Sequence, residues 1–221
     1  MEELSFTSDD FPQMERRYRA HFFNSLTGFK SVNLCGSCSK SEKPNLAIFN
    51  SVFHLGSNPP LMGMIIRPAT VPRHTLTNII EQNEYTFNHI HEDIVASAHQ
   101  TAAKYTRTQN EFEMTGLTPY FSENMKAPYV AESRIKIGLR FRERYNIQAN
   151  HTIMIVGEVV EVILPKDAVG MDGFVDLNAA GTVTGSGLDA YLTTEKIARL
   201  SYARPYEDLR ELNFNKQNQE H

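Results

Sequence analysis

An antiparallel β-barrel with helices packed at its rim is the fold class that this sequence predicts, and three observations predict it. Several long strand-like segments follow one another with few helices between them. The helical patterns cluster in mid-chain instead of alternating with strands, which argues against a doubly wound parallel sheet. "RIKIGLRFRERY" alternates along its length, with Ile135, Ile137, Leu139 and Phe141 on one side and Arg134, Lys136, Arg140 and Arg142 on the other.

Each element has its own local reason. "DDFPQMERRYRAHFFNSL" predicts an N-terminal helix, with Asp9 or Asp10 near the cap, Pro12 in the first turn and Gly28 ending it. Met14, Tyr18 and Phe22 supply its apolar stripe. "FKSVNLCGSCS" and "NLAIFNSVFHLG" predict two strands joined by the turn-like "KSEKPN". "SNPP" stops the second, because consecutive prolines remove two ladder donors. "LMGMIIR" is a short buried strand. "HTLTNIIEQN" is a helix capped by His74 or Thr75 and buried through Leu76, Ile79 and Ile80. "EYTFNHI" returns to strand, and "EDIVASAHQTAAKY" predicts a helix with Ile94, Ala98, Ala102 and Tyr105 on one face. "HTIMIVGEVVEVIL" is apolar on both faces apart from Glu158 and Glu161, as a central strand would be. The polar residues 207–221 predict a frayed tail or an arm on a partner. One domain over 1–221 is the simplest organisation, with a core at about 25–165 and a C-terminal extension at 166–221.

Composition narrows the function. The 221 residues are 41% hydrophobic and 22% charged, ordinary for a globular protein. A net charge of −4 supplies no global field toward nucleic acid or an anionic membrane, so neither is expected as a partner. The acidic start "MEELSFTSDD" lacks the apolar run of a signal peptide, and no stretch approaches the ~18 apolar residues of a spanning helix. A cytoplasmic location follows as the expectation.

The chain's two cysteines, Cys35 and Cys38, sit in "NLCGSCSK" at a Cys-x-x-Cys spacing that redox dithiols and zinc half-sites share. In a strand they point to opposite faces with Cα atoms roughly 10 Å apart, beyond disulfide reach. No helix start follows to lower a thiol pKa, and no further cysteine exists to complete a zinc site. The motif is expected to pack. "HIHED" offers His89 and His91 without a third ligand, so no metal is expected. "GTVTGSGLDA" mimics part of a dinucleotide fingerprint but lacks the strand–turn–helix unit, and is expected as a loop.

The chemistry concentrates in residues 45–79. The strand there carries Asn45, Ala47, Asn50 and Ser51 among bulky apolar residues, and polar groups on a core-like strand need partners. A proline-bounded loop then presents Arg67, Thr70, Arg73, His74 and Thr75 just before a helix. Free N–H groups at a helix start, together with guanidiniums and hydroxyls, make a phosphate cradle without a Gly-rich loop.

In this order, "KPNLAIFNSVFHLGSNPPLMGMII", "RHTLTNIIEQNEYTFNHI", "NEFEMTGLTP" and "IMIVGEVVEVIL" resemble the flavin reductase-like family of FMN-binding split β-barrels, over about residues 29–165. The resemblance implies a Greek-key split barrel, a homodimer, and one FMN per subunit near the interface. It implies that Asn45, Leu46, Ala47, Phe49, Asn50 and Ser51 lie along the flavin and ribityl chain, with Ser57 near the phosphate or ribityl end. Arg73, His74 and Thr75 would hold the phosphate. Asn50 stands where the family often has serine or threonine, and Gly138 where a cysteine or larger residue is common. The activity implied is NAD(P)H-dependent reduction of flavin, free or for a partner oxygenase, by stacking geometry without a catalytic side chain. A flavoredoxin-like FMN electron carrier and a flavin-free dimeric module are the alternatives.

Overall fold

The strand segments expected from the sequence form, and six of them close into a ring. The computed structural model describes residues 2–68, 73–106 and 108–213. Its strands are β1 (Lys30–Cys38), β2 (Pro44–Ser57), β3 (Pro60–Ile66), β4 (Glu84–His89), the short β5 (Pro119–Tyr120) and β6 (Tyr129–Val130), β7 (Lys136–Ile147), β8 (Thr152–Ile163), β9 (Thr184–Ser186) and β10 (Ala190–Leu192). Its helices are α1 (Arg16–Leu26), α2 (His74–Gln82), α3 (Val95–Gln100) and α4 (Glu111–Thr115). The antiparallel order is β1–β2–β3–β8–β7–β4, and β4 pairs back onto β1 to close the barrel. A β9–β10 hairpin extends the sheet from β1.

Period-2 alternation sorts the apolar residues into two layers. Cys35, Tyr85, Phe87, Ile137, Leu139, Ile153 and Ile155 fill the barrel, and α2 lays Leu76 and Ile79 onto the same cluster. The opposite faces of β1 and β2 send Leu34 and Leu46 outward, to pack with Ile94, Ala98 and Phe112 from the α3–α4 layer. Burying each such side chain contributes about 1.5–3 kcal/mol.

The barrel is split along β2. Its first half pairs with β1 from Pro44 to Val52, whereas pairing with β3 begins only at Val52. Residues 44–51 therefore leave one strand edge without a ladder among the described residues. "SNPP" is the tip of the β2–β3 hairpin, where Ser57 faces Pro60. Pro60 opens β3, a position at which its missing donor costs no ladder bond.

Several expectations need correction. The N-terminal helix begins at Arg16, not near Asp9; Pro12 lies in a separate 3-10 turn (Phe11–Gln13), and the Glu15 carboxylate caps the helix by accepting from Arg17 and Tyr18 N–H. No residue of α1 is buried, and its aromatic stripe is spent locally, with Tyr18 and Phe22 stacked at 6.1 Å. The mid-chain helix stops at Gln100, leaving Ala102 exposed. In α2 the cap position is Arg73, and buried Asn78 replaces Ile80, which is exposed. β8 sits between β3 and β7 as expected, but Val160 and Val162 are exposed beyond the end of its β3 ladder. On β7, Lys136 is buried among the expected solvent-facing cations and donates to the Ser133 carbonyl. "GTVTGSGLDA" carries β9 and the start of β10, not a bare loop. Of the tail, residues 207–213 fold back, with Leu212 N–H donating to Arg199 O at 2.8 Å; residues 214–221 lie outside the described residues.

The closest approach in the barrel is at Gly36, where an added Cβ would stand 2.0 Å from the Pro128 carbonyl oxygen and 2.5 Å from Thr86 Oγ1. Backbone cannot yield there as a side chain could. Gly36→Ala is expected to lower stability by about 1–3 kcal/mol, read as an earlier midpoint in urea unfolding with an unchanged slope.

Candidate functional site

At the barrel end covered by α2, four polar side chains are buried together. Asn45 Nδ2 donates to Ser37 Oγ at 3.2 Å and to Thr75 Oγ1 at 3.1 Å, and Asn78 Nδ2 donates to Ser37 Oγ at 3.1 Å. This knot fixes the first turn of α2 against the start of β2. No side chain caps that turn, and no acidic residue stands in it. Its N–H groups and partial positive charge are thus free of a carboxylate of their own.

Beside the knot lies a cleft of about 270 Å³, lined by residues that include Ser39, Lys43, Asn45, His74, Asn78 and Glu111. Arg73 precedes it. One guanidinium nitrogen, Nη2, donates to the Pro68 carbonyl at 3.1 Å, but Nε is buried with no partner among the described residues. A buried orphan donor on a cation, next to an uncapped helix start, suits an anionic group. Thr70 lies outside the described residues, and Arg67 is exposed.

The strand residues divide by role. Leu46 is fully buried in the outer layer, whereas Ala47, Phe49, Asn50 and Ser51 are partly exposed along the open edge of β2. Strand alternation sends the N–H groups of Leu46 and Ile48 to that edge, up to the bulge at residues 50–51. Leu46 N–H is already taken, donating to Glu111 Oε2 at 3.2 Å. Asn50 Nδ2 donates to the Gly187 carbonyl at 3.1 Å, and Ser51 Oγ to Ile65 O at 2.8 Å. Thus Asn45, His74 and Thr75 come together directly, with Arg73 adjoining. Ser57 does not join them: it is exposed at the hairpin tip, roughly 40 Å of extended strand from Asn45.

Sequence reading missed Glu111, Asn78 and Ser37. The usable signal for Glu111 was "NEFEM", in which Asn110 caps α4 by accepting from Phe112 N–H at 3.1 Å and fixes where the next carboxylate points. Burial pushes the Glu111 carboxyl above the usual carboxylate range, against the lowering effect of its backbone hydrogen bonds. The cysteines behave as expected of packing residues: both are free and buried, and burial pushes both thiols up.

A model of the flavin reductase like domain matches residues 29–178. An uncharacterised protein of Aquifex aeolicus (strain VF5) is 23% identical over 126 residues, covering 56% of this chain and 64% of its own length. A crystal structure described as a candidate flavin reductase with split barrel domain, from Shewanella frigidimarina NCIMB 400, is 48% identical; the likeness covers 91% of this chain and 100% of that one at a TM-score of 0.88. Nitrilotriacetate monooxygenase component B from Bacillus cereus shares the fold at 20% identity and a TM-score of 0.79, covering 90% of this chain and 100% of that one.

Glu111 generates a prediction about pH. Its folded pKa lies above its unfolded value, so the folded state holds the proton longer, and stability falls as pH rises through the range above about 4.5. Glu111→Gln keeps an acceptor for Leu46 N–H and removes the ionisation. The variant is expected to lose that fall and to match or exceed the parent in stability at pH 7, measured by thermal unfolding between pH 4.5 and 7.5.

Proposed function

Because the chain belongs to the flavin reductase-like family, we propose that it binds FMN along the open edge of β2 and serves as an NAD(P)H-dependent flavin oxidoreductase. The observation that carries this reading is the meeting of that edge with the uncapped start of α2, beside the buried and unpartnered Nε of Arg73. Arg73, His74, Thr75 and the first N–H groups of α2 would hold the phosphate as charge-assisted donors. Thr75 Oγ1 already accepts from Asn45, which aims its remaining hydrogen-bonding capacity. Ala47, Phe49, Asn50 and Ser51 would flank the ring system, with the N–H group of Ile48 offered from the strand edge. Asn45 and Leu46 would act from beneath, one through the knot and the other through Glu111. The bound flavin supplies the hydride-accepting chemistry.

No side chain of the chain needs to move a proton in this reading, so none is named as catalytic. A micromolar site requires about 8 kcal/mol of net binding, within reach of a buried ring and a charge-assisted phosphate contact. The same reading proposes a homodimer in the cytoplasm, over a single domain spanning residues 1–221, delivering reduced flavin either free or to an oxygenase. Among the described residues no helix is long and apolar enough to cross a membrane.

Two measurements test this. Arg73→Ala removes a charge-assisted donor worth about 1.5–3 kcal/mol, so FMN should bind roughly tenfold to a hundredfold more weakly in a flavin-fluorescence titration. Unchanged affinity refutes the phosphate assignment. Steady NAD(P)H oxidation with added FMN is expected, and a Cys35→Ala, Cys38→Ala double variant should retain it. Tight flavin without NAD(P)H oxidation would leave an electron carrier, and a dead but folded double variant would overturn the packing role of the cysteines.

A further inference from the structure

The cleft beside α2 holds one feature at odds with an anion site: a buried carboxylate of its own, Glu111. We propose that Glu111 couples anion binding in this cleft to the uptake of one proton, received on its carboxylate as a phosphate group arrives. The inference rests on the flavin reading, and adds to it a residue and a direction with pH which that reading does not require.

Glu111 is 8% exposed and lines the same 270 Å³ cleft as Lys43 and His74. Its Oε2 accepts from Leu46 N–H at 3.2 Å, and its own backbone N–H also bonds the carboxylate. It forms no ion pair among the described residues. Few charged groups surround it. α2 brings His74, whose charge when protonated favours the ionised carboxylate. The turn before β2 brings Lys43, which is exposed; Lys40 of that turn pairs with Glu81 at 3.6 Å, and its Glu42 acts on Cys38. On α4 itself Glu113 is exposed, and on α3, which packs against α4, His99 is turned to the Tyr191 hydroxyl at 2.9 Å.

A phosphate held by Arg73, His74 and the first N–H groups of α2 would share this space with the carboxylate and draw the His74 charge to itself. A sphere of that volume is about 8 Å across. Two negative charges that close in a partly buried site weaken binding by about tenfold or more. Swinging the carboxylate out would strand Leu46 N–H at the strand edge. Taking a proton removes the repulsion and leaves the acceptor oxygen on Leu46 in place, and burial already favours that neutral form. The sign follows from linkage. The anion stabilises protonated Glu111, so the carboxyl titrates at higher pH with ligand bound than without. Between those two midpoints binding takes up a proton and affinity falls as pH rises; above both, the repulsion is felt in full.

The test measures FMN affinity by flavin fluorescence for the full chain and for Glu111→Gln, from about pH 5 to about pH 8. The ratio of the two affinities cancels the ionisation of the phosphate itself, near pH ~6. Glu111→Gln is expected to lie closest to the parent at the acid end and to pull ahead as pH rises, to about tenfold tighter binding at the alkaline end. A second measurement needs no variant to fold: the Glu111 carboxyl carbon, followed by NMR with and without saturating FMN, is expected to titrate about one pH unit higher in the complex. An affinity ratio that stays flat, or a carboxyl midpoint that FMN does not move, would overturn the inference and leave Glu111 as a latch on Leu46, with FMN binding itself intact. A parent that binds no FMN at any pH would overturn it through the reading on which it rests.

Discussion

The polar knot of Ser37, Asn45, Thr75 and Asn78 is the constraint on which the α2 end of the barrel depends. Hydrophobic burial alone would bring α2 to the barrel end, since Leu76 and Ile79 gain wherever they are covered. It would not choose the helix's rotation or depth, because that force has no direction. The knot chooses both. Ser37 Oγ accepts from two amides on different elements, and Asn45 reaches across to Thr75, so displacing α2 strands several buried groups at once. Each bond contributes only about 1 kcal/mol net, but an orphaned buried partner costs more than the bond it loses.

The split in the barrel lies beside this placement. α2 is pinned over the start of β2, β3 ends at Ile66, and the ladder between β2 and β3 begins only at Val52. An unpaired strand edge is ordinarily a liability. Here it is guarded: Glu111 takes the first N–H, Asn50 is tied to Gly187, and Ser51 is tied to Ile65. What stays open is a short run of backbone beside a helix start that no carboxylate caps.

The sequence made the barrel legible because its strands alternate cleanly and its turns carry proline or glycine at the breaks. β1 to β4 and β7 to β8 were found within a few residues on those grounds. Helix ends were harder. α1 and α3 are shorter than their periodicity suggests, since apolar spacing marks which face would be buried and not where burial stops. Lys136 was misplaced because alternation assigns a face without knowing that the Ser133 carbonyl waits there. In the site, Arg73, His74 and Thr75 were visible from local order alone. Ser37, Asn78 and Glu111 were not, because their partners lie 8 to 65 residues away and only the closed barrel brings them together.

β2 is longer than the candidate site at its open edge. From Asn45 to Ser57 it spans roughly 40 Å, while the cleft, the knot and the uncapped helix start all lie at one end. The other end needs a separate explanation. There the β3–β8 ladder stops at Glu158 while β8 runs on to Ile163, and Val160 and Val162 are exposed beyond it, with Leu55 exposed near the β2–β3 tip. Apolar side chains left in water at about 1.5–3 kcal/mol each are what a second surface would cover. Ser57, which a single chain separates from Thr75, sits at the same end. The proposed homodimer accounts for both facts through one contact, since a second copy seated on β8 would cover the valines and bring the hairpin tip against a neighbouring molecule.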